Sequence, residues 1–375
     1  MKLKKALILL LCFCLALSLL SCSSNRENDE NSSSASQSAP DQEPIQDEKP
    51  EFPVEVNGTI VASRPVGVVS LSPAITDKIF DLKLEERLVG VSDLPEGEYP
   101  GYSLCGTDVL PDIEKIGLLK AHLVVSETAL PNEYVDALLA MNIDVVVIPH
   151  AESLQELWDS YIALCRMFEG EYAGRQMGEE FVGAVSNWLN EVRTEVASLN
   201  VPPKPALYLR HVPPDLPDAI SNNSIIAATR DTLEHDLMEI IGVENIAANY
   251  EGWEYPLAEA QGDGRADFVA LQVMYFDNIT VSMKQHLEKS AFFRGLNATL
   301  KDAFYEVDYM LMERQSMKTF EELLHMAEYT WPDANFPAWP PNIRYTLLDN
   351  FAPDNSVTEQ PVDINEAQPE PVSTN

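Results

Sequence analysis

The sequence predicts an α/β fold of two doubly wound lobes joined by one long α-helix. Three observations carry this. Short β-branched runs alternate with stretches of helical periodicity from Val66 to Phe168, the pattern of a parallel sheet flanked by helices. The same alternation resumes at Ala206 and continues to Tyr329. Between the two series, Glu171 to Leu199 contains no proline and places Phe181, Val185, Trp188, Leu189, Val192 and Val196 at helical spacing. That segment is well beyond the ~12 residues of an average helix.

The chain of 375 residues opens with Lys2, Lys4 and Lys5, then an apolar run from Ala6 to Leu20. A charged start, a short apolar stretch and a small residue before a cut describe a secretory signal over 1–21. The run is short for a membrane span, which needs roughly 20 residues. Leu19-Leu-Ser-Cys22 resembles a bacterial lipoprotein box, which implies lipid attachment at Cys22; the alternatives are an uncleaved anchor or a plain signal peptide. Residues 22–53 are rich in Ser, Asn, Gln, Asp, Glu and Pro, cannot bury a core, and read as a disordered tether.

The first lobe is expected over 54–168. Val66–Leu71 reads as a strand, and Ser72-Pro73 as the cap and first position of a helix running through Phe80. Leu88–Ser92 is a second strand, Pro111–Leu119 a helix and His122–Ser126 a third strand. Asn132–Met141 is helical, Asp144–Pro149 is a strand, and Ser153 to Glu156 forms a capping-box pattern opening a helix to Phe168. The linking helix occupies 169–200 and Asn200-Val-Pro-Pro203 stops it. The second lobe, 201–333, reads as strand Ala206–Arg210, helix Asp231–Ile241, strand Asp267–Met274, a helix from Ser282, strand Phe304–Val307, and a last helix capped by Thr319 to Glu322. Residues 334–375 form an acidic, Pro-rich tail expected to be disordered, in which Phe336, Trp339, Tyr345 and Leu347 can pack locally on the body.

Composition narrows the function. Lys and Arg number 25 against 60 Asp and Glu, a formal net charge of −35. Tether and tail hold only a minor part of it, so the folded body is itself acidic. Phosphate recognition needs clustered Lys and Arg, so no nucleic-acid partner is expected. Once the signal is removed and Cys22 is lipidated, Cys105 and Cys165 remain, as two small buried hydrophobes or as one bridge. The sequence holds no Gly-x-Ser-x-Gly elbow, Walker loop, Gly-x-Gly-x-x-Gly or His-Glu-x-x-His. Its six histidines are scattered, so neither catalysis, nor a resident metal, nor a cofactor is expected. Only His150 and His211 fall at predicted strand ends, where ligands bind in open α/β sheets; a histidine so placed is more often an ordinary polar loop residue.

Residues 64–127 resemble the opening lobe of the iron-siderophore, haem and cobalamin family of ABC-transporter substrate-binding proteins. The matching pieces are Val69-Ser-Leu-Ser-Pro-Ala-Ile-Thr-Asp77, Arg87-Leu-Val-Gly-Val-Ser-Asp93, Cys105-Gly106, Pro111-Asp-Ile-Glu-Lys-Ile116 and Leu119-Lys-Ala-His-Leu-Val-Val125. In the second half, Leu237-Met-Glu-Ile-Ile-Gly-Val-Glu-Asn-Ile-Ala247, Glu259 ahead of Asp267, Phe292-Phe-Arg-Gly-Leu296 and Phe304-Tyr-Glu-Val307 continue the likeness. Asp77 stands where the family has Glu, and Ala121-His122 where it has Pro-Asp.

The resemblance implies two rigid lobes that clasp a metal chelate or corrinoid with little hinge motion and deliver it to an ABC permease dimer and its ATPase subunits. It implies a non-enzymatic, monomeric, lipid-anchored extracytoplasmic receptor. Ligand contacts would come from the carboxyl ends of strands: Ser72, Asp93, Glu127 and His150 in the first lobe, and Arg210, His211, Tyr275 and Tyr309 in the second, with Arg230 on a nearby loop. Arg210 and Arg230 would meet ligand carboxylates. Glu114 and Glu259 fall where family members present one carboxylate per lobe to the permease; a carboxylate in a first helical turn is also favoured by the helix dipole alone. Alternative functions on the same frame are a sensor or adhesion lipoprotein, or an extracellular hydrolase or chelatase.

Overall fold

The computed structural model describes residues 50–93, 97–210, 224–256, 266–273, 294 and 296–343. Cys22, His211, Glu259, Tyr275 and the helix expected from Ser282 lie outside the described residues.

The first lobe begins with an element the sequence reading left unassigned. β1 (Val54–Val56) and β2 (Thr59–Val61) form an antiparallel hairpin. Its turn, Asn57-Gly58, has both φ angles positive, at 48° and 82°, the backbone that this residue pair favours in two-residue turns. Then follow β3 (Val68–Ser70), α1 (Pro73–Asp81), β4 (Leu88–Val91), β5 (Ser103–Leu104), α2 (Ile113–Leu118), β6 (Leu123–Ser126), α3 (Asn132–Ala140), β7 (Asp144–Val147) and α4 (Leu154–Glu169). The sheet has the order β5-β4-β3-β6-β7 and all its pairs are parallel. The hairpin covers the β7 edge: the Asn57 amide donates to the Val147 carbonyl at 2.8 Å and the Thr59 hydroxyl to that of Val145 at 3.0 Å. An edge strand left bare is a template for unwanted pairing.

The linking helix, α5 (Ala173–Ser198), is a single uninterrupted element. Its residue before the first turn, Tyr172, provides no side-chain cap. Glu51 supplies one from the end of the tether. Its carboxylate accepts the Tyr172 and Ala173 N–H groups at 2.8 and 3.1 Å, and its carbonyl accepts that of Glu171 at 2.8 Å. A carboxylate at this end also complements the helix dipole. The approach requires Gly170, whose φ is +106° and whose added Cβ would lie 2.5 Å from the Glu51 side chain. Further on, Gly174 and Gly178 bring α5 against α4: a Cβ there would lie 2.3 Å from the Cys165 carbonyl and 2.8 Å from Ile162 Cα.

The second lobe comprises β8 (Lys204–Leu209), β9 (Ser224–Ile226), α6 (Leu233–Ile240), β10 (Val243–Asn245), β11 (Glu254–Pro256), β12 (Phe268–Val273), α7 (Asn297–Lys301), β13 (Phe304–Asp308), α8 (Tyr309–Glu313) and α9 (Met317–Thr330). Its sheet runs β10-β8-β12-β13, all parallel, while β9 and β11 pair antiparallel beside it. The cap of α9 is not Thr319. Ser316 holds that place, its hydroxyl accepting from the Lys318 N–H while its own N–H donates to the Thr319 hydroxyl. Glu322 instead accepts the Tyr305 hydroxyl at 3.0 Å. At α4, Ser153 caps the Glu156 N–H, and the Glu156 carboxylate reaches back to the Glu152 N–H rather than to that of Ser153.

One core runs through both lobes, including Ile75, Ile79, Phe168, Phe181, Tyr208 and Phe320. Cys105 and Cys165 are buried free thiols, so the structure contains two small hydrophobes and no bridge between them. The chain beyond Trp331 packs further than the boundary at 333 suggests. Trp339 meets Trp188 of α5 edge-on at 4.7 Å, Trp188 Nε1 donates to the Ala338 carbonyl at 3.1 Å, and the Asn335 N–H donates to Glu195 at 2.8 Å.

Candidate functional site

In an open parallel sheet, the crevice lies where the strand order reverses, at the carboxyl ends of the strands. In the first lobe that point lies between β3 and β6, and in the second between β8 and β12. Among the described residues, those that follow β3, β6, β7 and β8 meet a residue that follows β13.

Ser72 follows β3. Its hydroxyl caps α1, accepting from the Ile75 N–H, and donates to Glu127 Oε2 at 2.7 Å. Glu127 follows β6, and its other oxygen lies 3.3 Å from His150 Nδ1. His150 follows β7, and its Nε2 lies 3.9 Å from Glu313, a residue of the second lobe at the end of α8. Glu313 in turn receives Arg210 Nη2 at 3.1 Å. Arg210 follows β8 with its guanidinium 4.8 Å above the Trp253 ring, and Tyr309, at the start of α8, lies beside it. A continuous polar chain, Ser72–Glu127–His150–Glu313–Arg210, therefore crosses from one lobe to the other and forms the floor of the cleft. His150 and Arg210 remain solvent-accessible, whereas Glu127 and Glu313 are mostly covered.

The electrostatics of this floor follow from burial. Burial pushes the Glu127 carboxyl up, but hydrogen bonds from His150 and Ser72 and the nearby Lys78 outweigh it and hold Glu127 below the ordinary carboxylate range. Lys78 lies fully buried beneath, its Nζ without a hydrogen-bond partner. Burial lowers its pKa to about 8, against the opposing pull of Glu127 and Asp81. Glu234, buried in the first turn of α6, is pushed up to about 7, chiefly by burial, with Glu313 adding to the shift and His150 and Arg210 opposing it.

Two expected contacts stand elsewhere. Asp93 accepts the Gly106 N–H at 2.7 Å and fixes the turn where that glycine has φ +84°. Arg230 is not joined to the cleft floor. It pairs with Glu251 through both Nε and Nη2, on the exposed surface. Glu114 is exposed in the first turn of α2, near the exposed apolar side chains of Val109, Leu110 and Leu118.

The sequence reading missed Glu313, Trp253, Glu234 and Lys78. Lys78 carried a signal: it falls among Ile75, Ile79 and Leu82 on the apolar face of α1, where a charge has no solvent. Glu313 lies one turn after Tyr309, directly beyond the last strand.

A second contact between the lobes flanks the cleft. Arg314 reaches Asp77 at 3.3 Å, the Tyr99 hydroxyl at 2.7 Å and Glu98 at 2.5 Å, while Lys318 meets Asp77 at 3.1 Å and Glu98 at 2.9 Å. Gln315 exchanges two 2.7 Å hydrogen bonds with the backbone of Ala151. Such a double clasp limits how far the lobes can part.

Residues 68–309 match the model of the periplasmic binding protein family. The curated relative, an uncharacterised ABC transporter substrate-binding lipoprotein, YvrC, of Bacillus subtilis, is 24% identical over 293 residues, 75% of this chain and 87% of that protein. Two solved structures share the fold. A possible iron-binding periplasmic solute-binding protein of Staphylococcus epidermidis has a TM-score of 0.57 at 16% identity, over 72% of this chain and 100% of that one. The periplasmic haem-binding protein HutB of Vibrio cholerae has a TM-score of 0.57 at 17% identity, over 71% of this chain and 99% of that one. With two parallel-sheet lobes, a single linking helix and a family match across both, the chain belongs to the periplasmic binding protein family.

Proposed function

We propose that this protein is the lipid-anchored, extracytoplasmic receptor of an ABC importer, carrying a metal chelate or corrinoid between its lobes. The observation that carries the reading is the polar chain from Ser72 to Arg210, which joins the two sheet crevices across the cleft. A ligand held there touches both lobes at once, as delivery of a bulky cargo requires. The substrate-binding lipoprotein name of the Bacillus subtilis relative supports the receptor role, and the haem-binding description of HutB supports a chelate cargo. The Leu-Leu-Ser-Cys22 box supports anchoring through lipid at Cys22. Of the expected ligand contacts, Ser72, Glu127, His150, Arg210 and Tyr309 are the ones this reading retains; His211 and Tyr275 belong to it by their sequence position alone. Glu114 and Glu259 are the docking carboxylates, one per lobe, and a permease dimer with its ATPase subunits is the partner of a monomeric receptor.

The test screens the full chain for thermal stabilisation by haemin, cyanocobalamin and ferric hydroxamates. A ligand at 100 times its dissociation constant adds ~2.7 kcal/mol. Stabilisation by one of them, together with normal binding but failed uptake by Glu114→Ala/Glu259→Ala, supports the reading. No stabilisation by any class overturns the cargo, and normal uptake by the double variant overturns the docking residues.

A further inference from the structure

We infer that His150 is a proton-operated latch between the lobes: as imidazolium it bonds a carboxylate on each side of the cleft, and as neutral imidazole it holds only the one on its own lobe. The inference concerns regulation of the cleft proposed above as the cargo site. It rests on that reading for its consequence and not for its test.

The corner joining β7 to α4 meets the second lobe through His150, Ala151 and Leu154. His150 Nε2 lies 3.9 Å from Glu313 Oε2, the Ala151 N–H donates to Gln315 Oε1 at 2.7 Å, and the Leu154 N–H donates to Asp236 Oδ2 at 2.8 Å. An imidazole is the side chain whose ordinary chemistry changes charge between pH 5 and 8. Its tautomer here follows from the partner on the other ring nitrogen, Glu127 Oε1, 3.3 Å from Nδ1. Although burial pushes it up, the Glu127 carboxyl stays below the ordinary range, so it is an acceptor only. Nδ1 therefore carries a hydrogen whether the ring is charged or not. In the neutral ring Nε2 is then a bare acceptor facing another acceptor, the Glu313 carboxylate, which Arg210 pairs on its other oxygen. In imidazolium the same nitrogen is a donor with an opposite charge before it.

The His150 side chain is 44% exposed, so protons reach it from the cleft. Among the described residues, Glu127, Glu313, Glu234 and Arg210 stand around it, with Lys78 beneath Glu127 and Tyr309 beside Arg210. Coupling between protonation and lobe contact is reciprocal: the lobes part more readily when His150 is neutral, and parting favours loss of the proton. Cargo between the lobes is therefore retained more firmly in acid and released more readily above neutrality.

Amide hydrogen exchange at Ala151 and Leu154 reads the parting, because both N–H groups are bonded across the lobes. It is measured on the full chain without cargo at pH 5 and pH 8, corrected for intrinsic exchange, in a Glu234→Gln background that removes the titration of this neighbour. Opening at both amides is expected to rise about fivefold between the two conditions, the size of one charge pair at 4 Å in water. That rise should disappear on adding His150→Gln, and equally on adding Glu313→Gln on the other lobe. Burial pushes Asp81 up to about 6 and lowers Lys78 to about 8, but both residues are intact in all three proteins, so their share cancels in the comparison. No rise at all, or a fivefold rise that either variant leaves standing, overturns the latch. Each of those outcomes leaves the receptor reading intact, since no cargo is present.

Discussion

At the scale of single residues, the cleft floor is an arrangement of charges that burial would otherwise forbid. Glu234 shows the cost. Its carboxyl titrates near pH 7 in the folded protein against about 4.5 in an unfolded chain, so between those values the native state holds a proton that the unfolded state has released. Stability from this group is therefore present below about pH 4.5 and lost as the pH rises through 7. Glu234→Gln removes the titration. The variant should gain on the wild type as the pH goes from 5 to 8, by up to roughly 3 kcal/mol for a shift of this size, measured by urea unfolding at both pH values. A difference that does not change with pH contradicts the burial assigned to this carboxyl. The same scale explains what the sequence concealed. Ser72, Glu127, His150 and Arg210 were legible because each directly follows a strand whose β-branched run is plain. Glu313 was not, since it sits on α8, a five-residue helix packed against β13 that leaves no periodicity to read.

Among the elements, α5 is the one whose stability matters most to the lobes, and its N-terminus is capped by a residue far away in sequence. Glu51→Ala should cost about 1 kcal/mol, the usual worth of a cap, and should loosen amide protection at Tyr172 and Ala173 in hydrogen exchange. Gly170→Ala should cost more, because it combines a positive φ with a collision against Glu51. Unchanged stability in both variants would show that the helix start is held by something else. The continuous apolar stripe marks the long helix, expected over 169–200 and found at Ala173–Ser198. They could not show the cap, since proximity of Glu51 to residue 172 is a product of tertiary folding. The β1–β2 hairpin was a different omission. Val54-Glu-Val-Asn-Gly-Thr-Ile-Val61 carries both the alternation and the Asn-Gly turn of a hairpin, but its two strands are only three residues each and border a polar tether. At α9, Thr319 and Glu322 have the spacing of a cap, yet Ser316 takes the role because the chain leaves α8 only there.

For the whole molecule, the lobes are joined by α5, by the polar floor, by Arg314 and Lys318 gripping Asp77 and Glu98, and by Gln315 on the Ala151 backbone. Arg314 and Asp77 are each only about 5% exposed, so removing the arginine leaves the buried carboxylate with only the partly exposed Lys318 as a charge partner. Arg314→Leu should cost on the order of 3 kcal/mol, and adding Asp77→Asn should recover part of the loss, by equilibrium unfolding in urea. A loss unchanged by Asp77→Asn would mean that the arginine acts through packing alone. The two-lobe plan was readable from the two alternating series and the helix between them. This clasp was not, because it pairs positions 77 and 98 with 314 and 318, and one sequence holds no record of which distant residues meet. The central claim is that cargo sits between the lobes on the polar floor. It is tested most directly by anomalous diffraction from crystals of the protein grown with whichever iron or cobalt chelate stabilises it. The account predicts one metal peak in the cleft, above Glu127, His150, Glu313 and Arg210, with ligand density touching both lobes. A metal peak on one lobe alone, or away from the strand ends, would contradict it.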